Sequence, residues 1–299
     1  MHVNPLFLLP DFALILFGAW LAHRVNFGAD FWNGAEKLVY YVFFPLLLFR
    51  SINTAQFSLG AASLFAAAGL TGFIASIALS FLGRLFLKPP PKVFASVVQT
   101  GFRYNSYVGL ALVASLFGTP GVALFALLVA LCVPVANLFA VYALARQRKT
   151  HFGRELMTNP LIIATSLGLL SNLLGIKLWP PLAIVVERMG NASLALGLLC
   201  IGAGLTFRAV DTSRWVLGYY TVVKLIGVPL LMLASGRLFG VGRFESQILV
   251  LFAALPTASS AYILTTRMGG LGAPVAFLIS VQTLLAMLTM PFWIAWVVG

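Results

Sequence analysis

RQRKTHFGRE, Arg146 to Glu155, is the most polar connection in a chain of 299 residues that is 61% hydrophobic and 9% charged. A soluble globular domain carries about 25% charged residues, so this composition excludes a water-covered surface and requires a bilayer. Around Arg146–Glu155 lie apolar runs of about 20 residues, the length that crosses a hydrocarbon core. Five precede it, near 4–22, 33–52, 58–83, 92–117 and 120–145. Five follow, near 157–176, 180–207, 213–236, 244–266 and 272–297. Runs of this length predict helices, because a bilayer demands backbone groups satisfied within the segment and barrel strands are far shorter. The third and seventh are long enough to tilt. The expected fold class is an all-α integral membrane protein of ten transmembrane helices. An odd number of spans before the divide makes the second half enter the membrane upside down, the arrangement of inverted-repeat transporters. The chain then divides into a first five-helix repeat (1–147), a cytoplasmic connection (148–156) and a second, inverted repeat (157–299).

The net charge of +12 would suggest nucleic acid in a soluble protein; in a membrane protein its sorting between faces matters more. Connections after odd-numbered spans hold eleven basic residues: Arg24, Arg84, Lys88, Lys92, Arg146, Arg148, Lys149, Arg154, Arg208, Arg214 and Arg267. The opposite side holds four, namely Arg50, Lys177, Arg237 and Arg243. The positive-inside rule makes the first side cytoplasmic and turns both termini outward. MHVNP at the start has no Lys or Arg, so the first apolar run reads as a span and not as a signal peptide. Trp20, Trp32, Trp179, Trp215, Trp293 and Trp296 all fall near span ends, as an interfacial aromatic belt predicts. Cys132 and Cys200 lie in apolar runs and read as small core residues, which excludes a disulfide framework.

Inverted-repeat transporters place their site where corresponding helices of the two halves are interrupted at mid-membrane. The corresponding spans here are the fourth and the ninth. The fourth contains QTGFRYNSYVGL, Gln99 to Leu110, with Arg103 eleven residues in, about 16 Å deep at about 1.5 Å per residue. The ninth has Pro256 twelve residues in, at the same depth. Pro256 removes a backbone donor, and Thr257, Ser259 and Ser260 are placed to serve the carbonyls it frees. The fourth span has no proline there, so its interruption is expected at Gly101 and the Asn105–Ser106 pair. Two broken helices meeting in a protein-lined cavity present free N–H groups and positive dipole ends, which bind anions. Arg103 adds a permanent planar cation suited to a carboxylate; its other reading is a structural arginine paired with helix carbonyls. Tyr104, Tyr107 and Tyr262 are candidates for an apolar wall.

Lys224, eleven residues into the eighth span, reads either as a cap for the carbonyl end of a broken helix or as a group that exchanges a proton. The seven carboxylates are Asp11, Asp30, Glu36, Glu155, Glu187, Asp211 and Glu245, and only Glu245, at an edge, touches spans three, four, five, eight, nine or ten. Asp11 is a candidate proton carrier or, alternatively, a helix-start cap. Glu187 and Arg188 read as an interfacial pair. Asn137, Asn191 and Gln282 are candidate support residues, each as readily a helix–helix hydrogen bond. A cationic midplane poor in carboxylates argues for anionic cargo and against an acidic sodium or proton site. His2, His23 and His151 lie outside the spans, so a metal site is not expected, nor is any cofactor. An intramembrane enzyme would need a nucleophile–base pair, a carboxylate dyad or a metal motif in the spans, and none is present. A channel would share the broken helices.

FRYNSYVGLAL (Phe102–Leu112) and LPTASSAYILTTRMGG (Leu255–Gly270) resemble the bacterial members of the auxin efflux carrier family. YYVFFPLLLF (Tyr40–Phe49) and VPVANLFAVYAL (Val133–Leu144) match as well. The resemblance implies a 5+5 inverted repeat with broken crossing helices 4 and 9, an elevator-like movement of one bundle against a scaffold, and homodimers. It implies organic anions as cargo, auxin in plants and dicarboxylates such as malate or malonate in bacteria, carried outward. The crossing-helix asparagine and the small polar residues beside it fall on Asn105 and Ser106, and the second crossing proline on Pro256. Plant carriers have a proline at the first crossing too, and RYNSY lacks it. The expected partners are a small organic anion, the lipid bilayer of a bacterial inner membrane and a second copy of the chain, with no nucleic acid. An uptake permease coupled to protons or sodium is the alternative reading.

Overall fold

The computed structural model describes residues 9–25, 27–54, 59–145, 160–206, 210–258 and 260–298, and its regular elements are all helical. The polar divide at 146–155 lies outside the described residues. In the first half, α1 (Leu9–Trp20), α2 (Ala29–Leu38), α3 (Phe44–Asn53), α4 (Leu59–Leu87), α5 (Pro91–Val97) and α6 (Ser106–Ala145) follow in order. The second half contains α7 (Pro160–Leu173), α8 (Pro180–Ala203), α9 (Arg214–Val222), α10 (Val228–Leu238), α11 (Arg243–Ala254), α12 (Ser260–Arg267) and α13 (Gly272–Val298). Ser63–Leu87, Pro91–Leu144, Pro180–Ala203, Arg214–Leu238 and Gly272–Trp296 are long and apolar enough to cross a membrane. The protein is an all-α, multi-span membrane protein.

The helices pack in two groups. The first joins α1 to α8, and α3 to both α7 and α8. The second packs α10 on α4 and α11, and α11 on α13 and α6, with α5 and α12 against α13. α6 connects the groups through contacts with α3, α7 and α8. Close approach within the first group depends on Gly202, because a Cβ there would fall on the Ile15 carbonyl. Such small-residue contacts suit helices that have no hydrophobic drive toward each other in lipid. α6 is broken into two arms at Gly118, whose φ of 59° and ψ of −158° lie outside the helical region, a conformation open to glycine. Pro120 follows in the first turn of the next arm, where its missing N–H costs nothing.

Prolines explain two further irregularities. Pro45 and Pro229 each sit just after a turn of π-helix, Val39–Phe43 and Val223–Gly227. Pro229 leaves the carbonyl of Leu225, four residues earlier, without its helical donor. The indole N–H of Trp293 on α13 donates to that carbonyl at 2.8 Å. Trp293 is therefore buried, at 4% exposure, and departs from the expected interfacial belt, whereas Trp20, Trp179, Trp215 and Trp296 are exposed. Trp293→Phe keeps the apolar contact and strands a buried acceptor, so it should cost about 1–3 kcal/mol. A lowered melting temperature of the purified variant checks this; an unchanged value would show that water reaches Leu225.

The pairing expected of Glu187 with Arg188 is corrected. Sequence neighbours on a helix do not face each other; Glu187 of α8 instead meets Arg50 of α3 at 3.7 Å. At the end of α3, Asn53 Nδ2 donates to Ser171 Oγ of α7 at 2.7 Å and Asn172 Nδ2 donates to the Asn53 carbonyl at 2.9 Å. These contacts tie α3 to α7, one helix from each half of the chain.

Candidate functional site

Helical structure stops inside apolar sequence at two places that touch. α5 tightens into a 3-10 turn, Val98–Gly101, and residues 102–105 are non-helical before α6 begins at Ser106. α11 ends at Ala254, and Leu255 takes φ −58° and ψ 141°, the extended backbone that a following proline favours. α12 then begins at Ser260. The Asn105 N–H donates to the Pro256 carbonyl at 2.8 Å. Thr257 Oγ1 donates to the Thr100 carbonyl at 2.7 Å and reaches the Arg103 carbonyl at 3.5 Å. Gln282 of α13 donates from Nε2 to the carbonyls of Thr100 and Tyr220, at 3.3 and 3.2 Å. The contacts to Pro256, Thr100 and Arg103 serve backbone groups at the interruptions, and the one to Tyr220 ties α13 to α9.

Asn105 is the N-cap of α6. Its Oδ1 accepts from the N–H groups of Tyr107 and Val108, at 3.0 and 3.4 Å, which fixes the direction of the side chain. Its Nδ2 is buried and has no protein acceptor among the described residues. Arg103, half-buried, donates from Nη1 to Gln99 Oε1 at 3.0 Å and from Nη2 to Asn137 Oδ1 at 2.7 Å. Gln99 in turn donates from Nε2 to Thr265 Oγ1 of α12 at 2.8 Å. Two neutral amide oxygens thus aim the guanidinium. Lys224 donates from Nζ to the Ala253 carbonyl at 3.1 Å, in the last turn of α11, where the helix dipole is negative.

The tyrosines separate. Tyr104 is buried in an aromatic cluster, 4.2 Å from the Phe252 ring centroid and 5.8 Å from that of Phe73, so it packs behind the interruption. Tyr107 stacks on Phe44 of α3 at 4.4 Å, at the seam between the two helix groups. Tyr262 is 43% exposed on α12. Ser106 is half-buried, Ser260 is exposed, and Thr257 and Pro256 are buried. Asn191 is exposed on α8 and takes no place in this network. Ser259 lies outside the described residues, and so does the side chain of Asp11.

Gln99 and Thr265 join the network around Arg103, and sequence reading passed over both. Gln99 is four residues before Arg103, a spacing that brings side chains together on a helix, and that signal was available. Thr265 carries none, because its meeting with Gln99 spans 166 positions. Among the described residues no group of three His, Cys, Asp or Glu is placed to hold a metal. The arrangement offers an unpartnered amide donor, an oriented guanidinium and the positive end of α6, a set suited to an anionic group.

A family model described as "Membrane transport protein" matches residues 7–294. Over 302 residues the chain is 26% identical to the "Putative malonate transporter" of Rhizobium meliloti (strain 1021), covering 94% of this chain and 92% of that one. Over 305 residues it is 24% identical to the "Uncharacterized transporter YfdV" of Escherichia coli (strain K12), covering 96% and 95%. The protein of the same name from Shigella flexneri aligns with the same identity and coverage. With a match running through nearly its whole length, the chain belongs to the membrane transport protein family, and its function is transport and not catalysis.

Proposed function

We propose that this protein is a secondary transporter that moves small carboxylates by alternating access of the elevator type, around fourth and ninth spans that cross as broken helices. The observation that carries the reading is Asn105. Its backbone N–H holds the second interruption through Pro256, its Oδ1 caps α6, and its Nδ2 remains a buried donor without a protein acceptor. A carboxylate placed there would also meet the dipole of α6 and the Arg103 guanidinium.

The helix groups support the 5+5 inverted repeat. α1, α2–α3, α7 and α8 correspond to the first two spans of each half, and the other group to the last three of each half. Such a division suits a scaffold and a moving bundle, with Tyr107 on Phe44 at the seam. Carboxylate cargo agrees with the name of the Rhizobium meliloti relative. Outward transport rests on the resemblance to auxin efflux carriers, as does the homodimer; an uptake permease coupled to protons or sodium is the second reading. Placement in a bacterial inner membrane with both termini outside rests on the eleven-to-four charge asymmetry.

A thermal-shift series with malonate, malate and monocarboxylates on purified protein tests this, since a ligand that binds only the folded state raises the melting temperature. A dicarboxylate should stabilise the wild type and leave Arg103→Ala unshifted. Equal stabilisation of both would move the site away from Arg103. Absence of stabilisation by every carboxylate would overturn the cargo class.

A further inference from the structure

Transporters built on broken helices hold coupling sodium ions with unwound backbone carbonyls and the carbonyl ends of half-helices. In this protein several of those oxygens are already engaged. The Thr100 carbonyl accepts from Thr257 Oγ1 and Gln282 Nε2, and the Pro256 carbonyl accepts from the Asn105 N–H. The Ala253 carbonyl, at the end of α11, accepts from Lys224 Nζ. Lys224 is 1% exposed, and among the described residues it is the one charged side chain that is buried. Its neighbours Val223 and Leu225 are apolar and buried, and α11 facing it is apolar from Ile248 to Ala254. No acidic partner for it is found among the described residues. An ammonium in such a place is costly unless something balances its charge. The negative end of α11 does so, in the way it would attract a free cation. The π turn Val223–Gly227 is the element that presents the lysine there.

We propose that Lys224 is a tethered counter-cation: its ammonium occupies the place at the end of α11 where a coupling sodium ion would sit, so that transport runs without sodium, and its removal opens a site for a monovalent cation. The inference builds on the reading of the protein as a carboxylate transporter and decides its coupling.

The test pairs two readouts that need no cargo with one that does. Purified protein is melted in sodium chloride and in choline chloride at equal ionic strength, and sodium-22 retention is measured on the same samples. Labelled malonate uptake into proteoliposomes is then followed with sodium or choline outside. The wild type and Lys224→Arg should show no sodium-specific rise in melting temperature, no retained sodium-22 and, for the wild type, equal uptake in both salts. Lys224→Ala should show a sodium-specific rise and retained sodium-22, with uptake lost in choline and recovered by sodium. If Lys224→Ala does not fold, Lys224→Gln, neutral and nearly as long, carries the same expectation. Sodium binding by the wild type, or indifference of the folded neutral variant to sodium, would overturn the proposal. Malonate uptake absent under every condition, with the cation results as expected, would remove the cargo reading and leave Lys224 in its role.

Discussion

Asn105→Asp is expected to fold like the wild type and to lose carboxylate binding. Aspartate serves as well as asparagine at a helix N-cap, and its charge faces the positive end of α6. The bonds from the Tyr107 and Val108 N–H groups therefore persist. The substitution changes two other things: it removes the buried Nδ2 donor, and it places a negative charge where the anion arrives. Two like charges 4 Å apart repel by about 4 kcal/mol at an effective dielectric of about 20, nearly a thousandfold in affinity. Calorimetric titration with malonate should show no binding, while the melting temperature of the unliganded variant stays near that of the wild type. Asn105→Ala separates the two roles. It loses the cap, about 0.5–2 kcal/mol of stability, without adding repulsion. Binding by Asn105→Asp at wild-type strength would mean that the anion does not approach α6.

Pro256→Ala is expected to slow transport by about tenfold or more, the rate equivalent of about 1.4 kcal/mol. Alanine restores a backbone N–H and lifts the restriction on Leu255, so α11 is free to continue toward α12. Continuation turns the 256 carbonyl away from the Asn105 N–H and draws Thr257 from the Thr100 carbonyl, the bonds that now join the two interruptions at 2.8 and 2.7 Å. Initial rates of labelled-anion exchange in proteoliposomes read the effect. A wild-type rate would show that tertiary contacts alone keep the second interruption open. The first already manages that, since residues 102–105 are non-helical without a proline.

The interruptions near Arg103 and at Pro256 and the scarcity of acid in the apolar runs were legible, because a polar stretch inside apolar sequence, a proline and a count of carboxylates are each read directly from the chain. The clustering of donors around Asn105 was legible in part, since an asparagine before a long apolar run is a helix-start signal. Lys224 was readable as a candidate cap; which carbonyl it reaches was not. For Glu187, reading along the chain gave Arg188 as partner, and the structure gives Arg50, because side-chain direction on a helix outweighs adjacency. Tyr104, Tyr107 and Tyr262 look alike in sequence, and packing sends one into an aromatic core, one to a seam and one to the surface.

The sequence by itself determined that this chain lives in a bilayer as apolar helices, because burial of that much hydrocarbon and the internal satisfaction of backbone groups are properties of each segment alone. Only the tertiary structure decided which orphaned group meets which partner. The pairs Asn105–Pro256, Thr257–Thr100, Gln99–Thr265, Lys224–Ala253 and Trp293–Leu225 join residues far apart in the chain. A helix break states in sequence that a backbone group has lost its partner, but the replacement comes from whichever helix packs against it, and that is set by the fold as a whole.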